Sequence, residues 1–146
     1  MFPDRVLQSL AENSGVLGLE VAGFGLRTDK YPTGGIEGYM EHMEYCIELM
    51  GIDHVGCGPD SLYGDHVGHY KAFHERNLIN GWGQYPQPGR EPEREYSSIE
   101  YVKGMENPTE CLLNVTRWLV KNGYSDIEIV KIIGGNALRL LRQVWK

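Results

Sequence analysis

Two short apolar runs, Val16–Val21 and Ile52–Cys57, flank a stretch, Ile36–Met50, in which Tyr39, Met40, Met43, Cys46, Ile47 and Met50 recur at helical period. A helix between two strands gives the crossover that parallel pairing needs, so this order reads as a β-α-β unit. The second run lies within Gly51-Ile-Asp-His-Val-Gly-Cys-Gly-Pro-Asp60, which carries a carboxylate onto the end of a buried parallel strand. That is where barrel enzymes keep their chemistry. Gly56 and Gly58 leave room for close packing or a ligand, and Pro59 is expected to stop the strand ladder one residue before Asp60. Asp60 is therefore the first candidate catalytic and substrate-binding residue.

The rest of the chain limits what Asp60 can belong to. With 146 residues and 41% apolar content, the sequence suits one folded domain with a real core. The net charge of −6 comes from scattered acids, and there is no Lys/Arg cluster or basic aromatic face, so nucleic acid is not an expected partner. Cys46, Cys57 and Cys111 are odd in number, far apart and without a C-x-x-C, and read as ordinary buried thiols. No apolar run approaches the ~20 residues that span a bilayer, and the first ten residues lack a signal-peptide pattern. A cytoplasmic location is the default expectation from that pattern.

A helix is expected to open at Pro3-Asp4 and to carry Val6, Leu7, Leu10 and Ala11 on one face until Asn13-Ser14-Gly15 breaks it. Gly23 to Gly35 reads as a loop, and Gly51 ends the second helix. Residues 61–98 read as a long loop, expected near the active-site face, with a short helix expected over Val67–Leu78 and a turn-rich excursion over 84–92. Asn107-Pro108 opens a helix whose inner face is Cys111, Leu112, Val115, Trp118 and Leu119. Ser125-x-x-Glu128 is a capping box for the next helix, closed by Gly134-Gly135. Asn136 is expected to cap a last helix carrying Leu138, Leu141 and Trp145.

Other constellations are weaker. An Asp after a strand is also an ordinary turn former, and the Gly56, Gly58 and Pro59 run is what favours function for Asp60. Asp65, His66, His69 and His74 have zinc-ligand chemistry, but Gly64 and Gly68 weaken a rigid helix there and no second ligand pair is visible. Lining a substrate pocket suits that loop better. Gly23-Phe-Gly25 is half of a dinucleotide fingerprint without its third glycine. His42 and His54 sit in apolar periodic stretches and read as hydrogen-bonded structural histidines. There is no G-x-S-x-G.

The segment Gly51-Ile-Asp-His-Val-Gly-Cys-Gly-Pro-Asp60 resembles the last barrel strand of the membrane (renal) dipeptidase family of zinc peptidases, usually G-I-D-H-V-G-I-G-S-D. Gly104-Met-Glu-Asn-Pro-Thr109, Asn122-Gly-Tyr-Ser-Asp126 and Ile132-Ile-Gly-Gly-Asn-Ala-Leu-Arg139 are similar to that family's C-terminal signature, and Asn13-Ser-Gly-Val-Leu-Gly18 to its seventh strand. Pro59 replaces the usual Ser or Gly. The resemblance implies an α/β chain forming the C-terminal part of a (β/α)8 TIM-type barrel of the amidohydrolase superfamily, its last two strands plus C-terminal helices.

The resemblance also implies a zinc-dependent dipeptidase that acts through a metal-activated water. Its two zinc ions would be held by an H-x-D, a Glu and two later His on preceding strands, and those ligands are not found in this sequence. No zinc is expected to be held by this chain alone. Met1 to Asp4 resembles the segment just after the sixth strand, so a full barrel of ~250 residues would need strands from elsewhere. Asp60 alone carries over, as the final-strand aspartate implied to bind the substrate amino group and assist proton transfer. The expected partners are a dipeptide and either the N-terminal part of the barrel or a second copy of the chain. The alternatives are a non-catalytic remnant that docks through its open edges, and a local zinc site at Asp65, His66 and His69.

Overall fold

The computed structural model describes residues 2–21, 26–61, 63, 102 and 104–145. The chain divides into two units, Met1–Ser61 with Tyr101–Lys146, and Leu62–Glu100; the second lies, Tyr63 aside, outside the described residues. The Val67–Leu78 helix and the 84–92 excursion therefore fall outside them.

Helix α1, Asp4–Glu12, begins directly after Pro3, whose carbonyl accepts from Val6 N at 2.8 Å. Asp4 is in the first turn, where a carboxylate suits the positive end of the helix dipole, and Tyr45 Oη donates to it at 2.8 Å from the second helix. Leu7 is buried and Leu10 and Ala11 pack against the core, but Val6 is exposed, which corrects its placement on the inner face. Four residues of mixed character fix a helical face only to within one turn, and here the covered stripe runs along Leu7, Leu10 and Ala11.

Strand β1 is Leu17–Leu19 and strand β2 is Val55–Cys57; they pair in parallel, with Leu17, Gly18 and Leu19 opposite Val55, Gly56 and Cys57. The expected strands over 16–21 and 52–57 are thus shorter. Gly51 ends the second helix at φ 87°, a backbone region open to glycine, and its carbonyl accepts from His54 N at 3.1 Å. That bond coils Ile52–His54 into a 3-10 turn before the chain extends. Beyond the strands, Gly58 N donates to Leu19 O at 3.0 Å and Val21 N to Pro59 O at 3.1 Å. Among the described residues the last of these bonds is to Pro59, one residue before Asp60; the proline has no N–H to give, but its carbonyl still accepts.

Helix α2, Ile36–Met50, buries Tyr39, Met40, Met43, Cys46 and Met50, the face read from its period. Gly38 is buried on it, and a Cβ there would lie inside contact of the Leu26 carbonyl oxygen. Because backbone must move to admit it, Gly38→Ala is expected to destabilise the chain by about 1–3 kcal/mol, despite the better helix propensity of Ala. Thermal unfolding checks this; an unchanged or raised Tm would show that Leu26 yields freely.

Helix α3, Pro108–Lys121, is capped by Asn107, whose side chain accepts from Glu110 N at 3.0 Å with Pro108 in the first turn, as the sequence indicates. Cys111, Val115 and Leu119 are buried, with Leu112 and Trp118 half-buried beside them. Helix α4, Asp126–Val130, opens on the expected capping box: Ser125 Oγ accepts from Glu128 N, and Ser125 N donates to Glu128 Oε2 at 2.8 Å. The chain passes through a π-helical turn, Lys131–Gly135, kinked at Gly134 (φ 154°), into helix α5, Asn136–Val144.

Asn136 is not a helix cap. Gly135 before it has helical dihedrals, and the Asn136 side chain is 2% exposed. Its Nδ2 donates to Ile52 O at 2.7 Å and Val55 O at 2.8 Å. Arg139 on the next turn adds bonds from Nη2 to Asp53 O at 2.9 Å and from Nη1 to Ser14 O at 3.3 Å. Helix α5 thus holds the turn that leads into β2. Trp145 lies just past the helix end and is exposed.

The fold of the described residues is mixed α/β, with a two-stranded parallel sheet and helices. Its core joins Leu7, Tyr39, Met40, Met43, Val55, Met105, Cys111, Val115, Leu119 and Ile132. Each large apolar side chain buried to this extent contributes roughly 1.5–3 kcal/mol.

Candidate functional site

The carboxyl ends of β1 and β2 lie side by side, and Asp60 follows the last paired residue, Pro59. Gly18 and Gly58 make this end close-packed: a Cβ on Gly58 would lie 3.4 Å from Gly18 Cα. Asp60 is exposed, and its backbone has φ 51°. Among the described residues it shares positive φ outside glycine with Ser14 alone. Asp tolerates that region better than most residues because its short polar side chain can bond locally. Backbone held in a sparsely populated region is common where a side chain must be presented at a site.

His54 takes the structural role read for it. Its Nδ1 lies 2.8 Å from Gly15 O, tying the 3-10 turn to the end of α1. His42 is half-buried on α2, and its Nε2 has no hydrogen-bond partner among the described residues. Asp53 pairs with Lys131 Nζ at 2.6 Å, and this contact first of all holds the Asp53 carboxyl below its ordinary value. A group with a lowered folded-state pKa adds stability above its unfolded pKa and loses it as pH falls through the folded value. With side chains 55% and 33% exposed, the pair is screened by solvent. Lys131→Ala is expected to cost under about 1 kcal/mol at neutral pH, less in high salt, and nothing once acid protonates Asp53. Urea midpoints at two pH values and two salt concentrations read this.

The cysteines are not three equivalent buried thiols. Cys46 and Cys111 are buried, whereas Cys57 is partly exposed, and its Sγ lies 3.9 Å from Cys111 Sγ. The single Tyr39 hydroxyl proton lies between Leu19 O at 3.1 Å and Cys57 Sγ at 3.2 Å. The hydrogen bond with Cys111, joined by that from Tyr39, draws the Cys57 thiol down to about 7 against the opposing effect of burial. The same contact with Cys57, with burial, pushes the Cys111 thiol up. Burial first, then the charge on Cys57, raises the Tyr39 hydroxyl. One signal in the sequence bears on this cluster: Cys57 ends an apolar strand and Cys111 lies on the inner face of a helix.

Asp65, His66, His69 and His74 lie outside the described residues, as does Gly23-Phe24-Gly25. Among the described residues no group of three or more His, Cys, Asp or Glu side chains could hold a metal ion. The zinc pair implied by the resemblance does not fit them: Asp60 is one exposed carboxylate, His54 is committed to Gly15 O, and Cys57 and Cys111 are engaged with each other and Tyr39. No helix among the described residues is long and apolar enough to cross a membrane.

Comparison with known proteins sets this strand end in a family. The sequence model described as membrane dipeptidase (peptidase family M19) matches residues 2–76, more than half of the chain, and includes both strands and Asp60. A solved structure, an amidohydrolase from Pseudomonas aeruginosa, is similar with a TM-score of 0.67 and 25% identity. The likeness covers 97% of this chain and 40% of that one, so the chain spans well under half of its structural neighbour. No curated protein matches this chain. The Gly51–Asp60 strand end and the residues around it thus carry a family match that extends over half the sequence, and the chain belongs to the membrane dipeptidase family, peptidase family M19.

Proposed function

We propose that this chain is the carboxyl-terminal part of a (β/α)8 dipeptidase barrel, in which β1 and β2 are the last two strands and Asp60 binds the substrate. The observation that carries the proposal is the position of Asp60, directly past the carboxyl end of a parallel strand pair in a chain of this family. Functional groups of such barrels sit on that face. A dipeptide brings a free ammonium group next to its scissile bond, and an exposed carboxylate there forms a charge-assisted hydrogen bond with it. By gripping the ammonium group Asp60 positions the adjacent peptide carbonyl relative to the strand ends, and a proton leaving the reacting centre has an acceptor in its Oδ atoms. Zinc enters this proposal only as a property of the assembled enzyme, held by residues other than those described.

Purified chain with zinc is expected to leave dipeptides intact, and to support hydrolysis when joined to a polypeptide that supplies the preceding barrel strands. Hydrolysis by the chain alone, abolished in Asp60→Ala, would overturn the proposal.

A second reading, self-association without catalysis, is favoured by one observation: α5 leaves Leu138, Leu141 and Val144 exposed beside Trp145. A stable metal-free oligomer in size-exclusion measurements supports that reading, and a monomer that becomes active only with added barrel strands supports the first.

A further inference from the structure

We propose that Cys57 and Cys111 form a redox-active pair that closes to a disulfide when a peroxide oxidises it. The two sulfurs stand 3.9 Å apart, on the end of β2 and the first turn of α3, fifty-four residues apart in sequence. A disulfide needs about 2.05 Å between sulfurs, so closure requires the two side chains to rotate toward each other about their Cα–Cβ bonds. The two residues are unequal in the way the chemistry requires. Cys57 is partly exposed, as meeting a small oxidant requires, whereas Cys111 is buried with its sulfur beside that of Cys57. Tyr39 Oη, 3.2 Å from Cys57 Sγ, can turn its proton from Leu19 O onto sulfur and so stabilise a thiolate there. Cys46, the third thiol, is buried and has no such partners among the described residues.

The steps balance. The Cys57 thiolate attacks one oxygen of hydrogen peroxide; the S–O bond forms, the O–O bond breaks, and sulfur gives up two electrons as hydroxide leaves. Cys111 then attacks the sulfenic sulfur of Cys57, the S–S bond forms, and the S–O oxygen departs with the Cys111 proton as water. The hydroxide takes up the proton that Cys57 gave up on ionising, so in sum two thiols are oxidised and one peroxide is reduced to two waters. The product ties the end of β2, three positions before Asp60, to α3.

The test is peptide mapping of the folded, fully reduced chain after brief exposure to hydrogen peroxide, alkylation of remaining thiols, and proteolysis without reductant. The expected result is a Cys57–Cys111 linked peptide lighter by two hydrogens, with Cys46 alkylated, and its disappearance after dithiothreitol. In Cys111→Ala, the sulfenic acid on Cys57 is expected to persist and to be captured by dimedone. The proposal is overturned if Cys57 goes on to sulfinic acid while Cys111 remains alkylatable, or if both thiols stay reduced. It is equally overturned if the linkage formed involves Cys46. The wild-type map decides the matter even if Cys111→Ala fails to fold.

Discussion

Asn136→Asp is expected to destabilise the fold by about 2–4 kcal/mol although it barely changes the side chain's shape. The amide of Asn136 is buried, and its two hydrogens go to Ile52 O and Val55 O at 2.7 and 2.8 Å. Aspartate offers only acceptors when ionised, so two backbone carbonyls would face a carboxylate at hydrogen-bonding distance in a site that excludes water. Such a site raises the pKa of the new carboxyl in the folded state. The protonated form is the one the fold prefers, so the deficit should grow as pH rises above the ordinary carboxylate range. Asn136→Ala removes the donors without adding a charge and should cost less, roughly 1–3 kcal/mol. Urea unfolding measures both. A shift in midpoint with an unchanged slope is expected, and a deficit below about 0.5 kcal/mol for both variants would mean that the clamp does not hold the turn.

In an assembled barrel, Asp60→Asn is expected to lower kcat/KM for dipeptides by about 30- to 5,000-fold, the range for removing one partner of a hydrogen-bonded charge pair. Asn is the informative replacement. Asp60 has φ 51°, and Asn tolerates that region as well as Asp does, so the exchange removes charge without adding backbone strain. The same exchange should leave the stability of the chain within about 0.5 kcal/mol, because Asp60 is exposed. If Asp60 grips the substrate ammonium, an N-acetylated dipeptide should be poor for the wild type by a similar factor. The two losses should then fail to add, since each removes the same contact. Full additivity would place the ammonium elsewhere.

Much of the fold is legible in the sequence because its signals are local. The α2 face from Tyr39 to Met50, the Asn107-Pro108 start and the Ser125-x-x-Glu128 box each depend on residues within a turn or two of one another, and each has its expected form. Parallel pairing of β1 and β2 follows from the helix between them. The misreadings share a cause. Asn136 has the composition of a cap, yet its partners lie 81 and 84 residues away, and no local pattern distinguishes a cap from a distant clamp. Ile52–His54 looks like strand because it is flanked by apolar residues, but the Gly51 carbonyl captures His54 N first. Cys57 and Cys111 are 54 residues apart and meet only through the tertiary fold.

The candidate site is legible in a different manner. Spacing alone puts a carboxylate at a strand end, and resemblance to the dipeptidase family implies a role for it; the family itself is what the comparisons show. The described residues add that Asp60 is exposed, in left-handed backbone, and next to a strand pair that runs on through Pro59.

The most direct test of the central claim is dipeptide hydrolysis and zinc content, measured on the purified chain and on the same chain joined with the preceding barrel strands. Alone, the chain should show neither activity nor stoichiometric zinc. Joined, it should show both, and Asp60→Asn should then remove activity while zinc stays bound. Dipeptide hydrolysis by the isolated chain, or a joined enzyme indifferent to Asp60→Asn, would contradict the account.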